Sequence, residues 1–191
     1  MMSIFSGSRI SEINILMPIL LKFIELMNLK YNDFTYIFHS TKEQNLLVQS
    51  YIKSSDLKNC QVICDDKIKG YVLKKSIFAV TKSGTVSLEI CNAKIPSIVV
   101  YKMNFINFLI IKILVKIKFA NIVNIVANEE IIPELLQDKC NPNNIYKVVS
   151  EFLDTPSKIK EQVQKTELVL DSLKTEKSSS ELASQALNKF F

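Results

Sequence analysis

A doubly wound α/β fold, a parallel sheet of Rossmann type covered by helices on both faces, is predicted by three observations in this chain of 191 residues. Short, continuous apolar runs alternate with stretches of helical period, as strands buried on both faces and their crossover helices require. Two of only three glycines fall where such a run turns into a helix, in SGSRISEI and in KSGTVSLE. Hydrophobic residues make up 48% of the chain, enough for a substantial core in one domain with some length to spare.

Each element follows from its local pattern. A strand around SIF runs into SGSR and then into a helix from about Ser11 to Asn28, where Ile15, Ile19, Phe23 and Leu26 recur at helical spacing. The unit repeats as strand FTYIFHS with helix KEQNLLVQSYI, strand CQVIC with helix KIKGYVLKK, strand IFAV with helix TVSLEIC, and strand SIVVY with the apolar helix FINFLIIKILVKI. After these, NIVNIVANEEIIPELLQ reads as an irregular segment ending in a short helix opened by Pro133. NPNNIYKVVSEFLD is a helix started by Pro142, with Asn141 as its N-cap.

Two regions result, a sheet domain over residues 1–155 and a helical tail over 156–191. The tail is charged from Pro156 and closes on a short helix in KSSSELASQALNKFF, capped by Ser180 or a neighbour. No partner surface in the chain is evident for its apolar positions, which include Ile159, Val163, Leu168 and Leu173. It is therefore expected to fray, to self-associate or to dock on another chain.

Composition excludes several classes. The net charge of +5 comes from 24 basic and 19 acidic residues that are interspersed without a basic block, so nucleic acid is not expected as a partner. Cys60, Cys64, Cys91 and Cys140 lack the paired spacing of a zinc site and read as reduced, inert core thiols of a cytoplasmic protein. No metal and no cofactor are expected, since Asp65 and Asp66 do not form a D-x-D pair for a metal-diphosphate bridge. FINFLIIKILVKI, broken by Lys112 and Lys116, is too short to cross a bilayer core that needs about 20 apolar residues. It reads as a buried crossover helix with snorkelling lysines, or as a surface that touches a membrane.

Ligands of an open parallel sheet sit at the carboxyl ends of its strands. In KSGTVSLE, Gly84 lets backbone amides approach a bound group, Thr85 adds a hydroxyl at the mouth of a helix, and Glu89 lies one turn higher on the same face, where a carboxylate can take ribose hydroxyls. The same stretch is also an ordinary helix start with an acidic residue favouring the dipole. SGSRISEI places a second glycine at a helix mouth, with the fork of Arg9 suited to phosphate oxygens, although Ser11 and Glu12 also suit simple capping. Neither turn fits the P-loop pattern, and the G-x-G-x-x-G fingerprint of a dinucleotide site is absent. A phosphate-accepting signalling domain would need acidic residues where the first turn has Ser-Gly-Ser-Arg.

Taken together and in this order, SGSRISEI, SGTVSLE, IPSIVVYK and VKIKFANIVNIVANEEIIPELLQ resemble the C-terminal half of lipid-A-disaccharide synthase, over residues 3 to about 155. The resemblance implies the C-terminal, nucleotide-sugar-binding domain of a GT-B glycosyltransferase. It further implies transfer of 2,3-diacylglucosamine from UDP to 2,3-diacylglucosamine 1-phosphate in lipopolysaccharide synthesis, with inversion. Carried over by motif, Ser8 and Arg9 contact the diphosphate side of the donor, Ser83, Gly84 and Thr85 receive the diphosphate, Glu89 holds the ribose and Asn124 lines the same cleft. Glu134 and Gln137 match the pattern without an assigned role. Where the family has Pro before Gly-Ser-Arg this chain has Ser6. Catalytic residues are expected in an N-terminal acceptor domain outside this sequence, so a separate acceptor-domain chain is an implied partner. The lipid acceptor and a peripheral inner-membrane surface are implied as well. The alternative is a UDP-sugar-binding fragment without catalysis. His39, the only histidine, ends the strand FTYIFHS and is expected at the cleft edge without a catalytic role.

Overall fold

A computed structural model describes residues 1–103, 118–174 and 184. The stretch FINFLIIKILVKI and, but for residue 184, the closing stretch KSSSELASQALNKFF lie outside the described residues.

The chain runs β1 (Met2–Phe5), α1 (Ile10–Asn28), β2 (Tyr36–His39), α2 (Asn45–Lys53), β3 (Cys60–Ile63), α3 (Asp66–Lys75), β4 (Phe78–Thr81), α4 (Val86–Asn92) and β5 (Ser97–Tyr101). Then come α5 (Ile122–Ala127), β6 (Glu134–Leu136), a 3₁₀ turn (Gln137–Lys139), α6 (Pro142–Asp154) and α7 (Pro156–Leu173). The strands form one sheet in the order β3-β2-β1-β4-β5-β6, every pair parallel. This is the doubly wound arrangement expected from the alternation of apolar runs and helices.

The strands carry side chains into two cores. Ile4, in register with Phe38 and Val80, faces α1, α2 and α6, where Leu16, Leu20, Phe23, Val48 and Val149 close one layer. Its neighbour Phe5 faces the opposite side, with Leu73 of α3 and Ile90 of α4. Further along that side, Val99 meets Val123 of α5 and Val169 of α7. β1 and β4 are buried along their whole length, which is why MSIF and FAVT show no polar alternation. Asn141 caps α6 as its position suggests, accepting from the Asn144 amide at 3.0 Å behind Pro142 at the first turn. Asp65 caps α3 in the same way, through the Lys67 amide at 2.8 Å.

Two readings need correction. Pro133 opens a strand rather than a helix: Glu134–Leu136 pairs with Val99–Tyr101 and completes the sheet, and the helix of that region lies earlier, at Ile122–Ala127. The helix after Pro156 also has a partner within the chain. Gln162, only 4% exposed, accepts from the Ser97 amide at 2.7 Å and donates to the carbonyls of Ser97 at 3.0 Å and Ile131 at 3.1 Å. A polar clasp at the start of β5 therefore docks α7, with Thr166 and Val169 buried beside it, while Leu168 stays exposed. Among the described residues no helix is long and apolar enough to cross a membrane.

Candidate functional site

Strand order reverses between β1 and β4, and a crevice opens there at their carboxyl ends. It is a cleft of about 470 Å³, lined by Gly7, Ser8 and Arg9 from the turn into α1, by Thr81–Val86 from the turn into α4, and by the chain following β2 and β3. Five of the residues singled out in the sequence, Ser8, Arg9, Ser83, Gly84 and Thr85, are thus brought together.

The first turn is shaped by Gly7, whose φ of +101° lies in the left-handed region. A Cβ there would stand 2.7 Å from Glu12 Oε2, so only glycine lets the Glu12 carboxylate fold back beneath the turn. Glu12 does more than favour the helix start. It is 8% exposed and accepts from Arg9 Nη1 at 3.0 Å and from Lys82 Nζ at 2.7 Å, drawing the two turns together. Burial alone would raise its pKa, but the Lys82 hydrogen bond and charge, with the Arg9 contacts, outweigh it and hold the carboxyl below its ordinary value.

The second turn is supported from behind. Ser83 Oγ donates to the Ala120 carbonyl at 2.6 Å, so its hydroxyl proton is committed within the protein and is not available to a ligand in this arrangement. Ala120 and Asn121 are held by their amides to the buried Glu134 carboxylate at 2.7 and 2.9 Å. At Gly84, which lines the cleft, nothing lies within 4 Å of where a Cβ would be. Since α4 is only seven residues long, its dipole is a small contribution beside the turn's own N–H donors.

Glu89 and Asn124 are placed elsewhere. Glu89 is not part of the cleft wall; its half-exposed carboxylate pairs with Lys69 at 2.5 Å, and Lys69 is the residue that lines the cleft. Asn124, expected in the same cleft, is fully buried with its amide committed to protein. Its Nδ2 donates to the Ile132 carbonyl at 2.7 Å and to Glu134 Oε1 at 2.8 Å, and its Oδ1 accepts from the Ile131 and Ile132 amides, both at 2.9 Å. Asn124 therefore builds the turn between α5 and β6, and Glu134 links that turn to the segment behind Ser83.

His39 does reach the cleft wall, but as a packed ring. It is 7% exposed and stacks on Phe5 with centroids 4.2 Å apart. Its Nε2 lies 2.9 Å from Ser3 Oγ, which lies 2.8 Å from Ser76 Oγ, and Ser76 gives its proton to the Val72 carbonyl at 2.9 Å. Since Ser76 has one proton to give, Ser3 donates to Ser76 and accepts from His39, which fixes the tautomer protonated on Nε2. Burial first, and then the Lys69 ammonium, push the imidazole down to about 4, so it is neutral at pH 7.

All four cysteines are free thiols, yet Cys64 lines the cleft rather than the core expected for it. Burial raises Cys60 to about 12 and Cys91 and Cys140 to about 11, leaving these three in the unreactive thiol form. The residues that the sequence did not single out, Lys82 and Lys69, stand beside the glycine turn or one helical turn into α3. Adjacency to SGT was the only signal for Lys82.

A family model described as lipid-A-disaccharide synthetase matches residues 1–190. The lipid-A-disaccharide synthase of Sulfurihydrogenibium sp. (strain YO3AOP1) is 33% identical over 178 residues, 89% of this chain and 46% of that protein. That of Rickettsia prowazekii (strain Madrid E) is 32% identical over 188 residues, 97% of this chain and 49% of that protein. The chain thus spans about half the length of the curated relatives it matches. Among solved structures, a mutant S. aureus TarM in complex with fondaparinux, alpha-GlcNAc-glycerol and UDP superposes with a TM-score of 0.66 at 13% identity, covering 98% of this chain and 34% of that one. The UDP-GlcNAc 2-epimerase of Neisseria meningitidis bound to UDP-GlcNAc gives 0.60 at 16% identity, covering 90% and 44%. The C-terminal domain of a Glycosyl Transferase Group 1 family protein from Francisella tularensis gives 0.57 at 12% identity, covering 90% and 84%. At these identities the likeness is one of fold, that of the C-terminal domain of GT-B glycosyltransferases.

Proposed function

This chain belongs to the lipid-A-disaccharide synthetase family, and we propose that it forms the donor side of that glycosyl transfer, holding UDP-2,3-diacylglucosamine while the sugar passes to 2,3-diacylglucosamine 1-phosphate. The observation that carries this reading is the convergence of both glycine turns and Arg9 on one cleft at the β1/β4 crevice. The diphosphate lies across the two turns, where main-chain N–H groups of Ser83–Thr85, the Ser8 side chain and the planar fork of Arg9 meet its oxygens, the Ser8 amide itself being engaged with Glu12 Oε2 at 3.4 Å. Glu89 stands outside the cleft wall, paired with Lys69 that lines it, and is the residue proposed to take the ribose hydroxyls of a donor that extends past the lining residues.

In such a transfer the UDP leaving group gains negative charge as the anomeric carbon is attacked, and preorganised donors at the diphosphate stabilise it. A base must also take the acceptor hydroxyl's proton in line with the leaving group. His39, sealed against Phe5 and Ser3, does not offer one. We assign that base and the acceptor lipid to the portion of the relatives' length outside the match, and the membrane surface that presents these lipids is proposed with them. Calorimetric titration tests the donor reading: UDP binds more tightly than ADP or GDP. No binding of UDP, or a preference for a purine nucleotide, overturns it.

A further inference from the structure

Lys82 enters the cleft from the position just before Ser83–Gly84, and its side chain is only 18% exposed. Two contacts fix its ammonium. Nζ donates to Glu12 Oε1 at 2.7 Å and stands 5.2 Å from the centroid of the Tyr101 ring. Glu12 lies in the first turn of α1, Lys82 follows β4 and Tyr101 ends β5, so the charge is held between helix α1 and the ends of two neighbouring strands. Glu12 also takes Arg9 at 3.0 Å. Two cations and one carboxylate leave a net positive charge where the two glycine turns meet. An ammonium has three donors, and Glu12 occupies one of them.

We infer that Lys82 is a second anion-binding cation of this cleft, meeting the terminal phosphate of a nucleoside diphosphate together with Arg9, and that Glu12 and Tyr101 are the positioning residues that hold it there. The inference rests on the reading of the cleft as a nucleoside-diphosphate site. A lysine on a flexible four-carbon stem is a poor anion trap when it must be ordered by the ligand, and a better one when it is already held. Here a carboxylate and a ring face hold it before any ligand arrives, and partial burial shields the charge from solvent. Glu12 does not cancel the site, because its single negative charge is shared between two cations.

The test compares UDP with uridine on the whole 191-residue chain by calorimetry, for the wild type, Lys82→Met and Lys82→Arg. Lys82→Met is expected to weaken UDP about tenfold or more, the size of one charge-assisted contact, while uridine changes by less than about twofold. Lys82→Arg retains most of the UDP affinity. If Lys82→Met does not fold by circular dichroism, Lys82→Gln carries the same comparison. UDP bound by the charge-removing variant as tightly as by the wild type, or UDP and uridine weakened by the same factor, overturns this inference and leaves the nucleotide reading standing. A wild-type chain that binds no UDP overturns both.

Discussion

Lys82 Nζ lies 2.7 Å from Glu12 Oε1, a bond between side chains 70 residues apart that joins the turn after β4 to the first turn of α1. Its loss should register in stability as well as in binding. Glu12→Gln is expected to lower the free energy of unfolding by about 1–3 kcal/mol at pH 7, because two cations lose their carboxylate in a largely buried setting. The folded carboxyl titrates below its unfolded value, so the charged form contributes stability above the unfolded pKa, and that contribution fades as pH falls through the folded one. Urea unfolding of both proteins should therefore show a gap that narrows below about pH 4. A gap that does not change with pH would contradict the ion pair as its source.

Gly7 and Gly70 offer a matched pair of substitutions. Gly7→Ala places a Cβ 2.7 Å from Glu12 Oε2 at a φ of +101°, and is expected to cost about 1–3 kcal/mol. Gly70→Ala falls in α3 with nothing within 4 Å of the new atom, and should stabilise by about 0.5–1 kcal/mol. Thermal unfolding of the two variants decides; equal effects would mean that Glu12 does not pack beneath the turn.

His39 is the only histidine, so its ring protons report one site in a titration followed by NMR. The ring should stay neutral, protonated on Nε2, until pH falls to about 4. A depressed folded value means that stability is full above the ordinary histidine pKa of about 6.5 and declines toward pH 4, by roughly 3 kcal/mol in all. Titration near the ordinary value would show that the ring does not sit sealed between Phe5 and Ser3.

Asn124→Ala strips partners from the Ile131 and Ile132 amides and the Ile132 carbonyl, and should cost about 3 kcal/mol of stability in denaturant unfolding. UDP affinity of the folded variant should stay within about twofold of the wild type, since an amide wholly engaged within the protein has little to offer a ligand. A large, selective loss of UDP binding with unchanged stability would return Asn124 to the cleft.

Asn124 also shows where the sequence stops being legible. Strands such as IFAV and SIVVY are readable because burial on both faces forces an unbroken apolar run, and the turns into α1 and α4 are readable because a glycine interrupts an otherwise glycine-poor chain. The strand at Glu134–Leu136 is not readable, being three residues long behind a proline and beginning with a carboxylate that is buried for the sake of the Ala120 and Asn121 amides. The docking of α7 escapes for a similar reason: the anchor is Gln162, a polar side chain in a charged stretch, and no apolar period announces it. Lys82 and Glu12 carry no pattern of their own, because their pairing depends on β1 and β4 being neighbours in the sheet.

The central claim is that UDP lies across the two glycine turns, and a titration with UDP followed through the backbone amide spectrum tests it most directly. The account predicts that the amides of residues 7–9 and 83–86 shift together and saturate together, while those around Gln162, clasped to the start of β5, stay in place. Saturable shifts confined to another part of the surface, or no shifts at all, would contradict it.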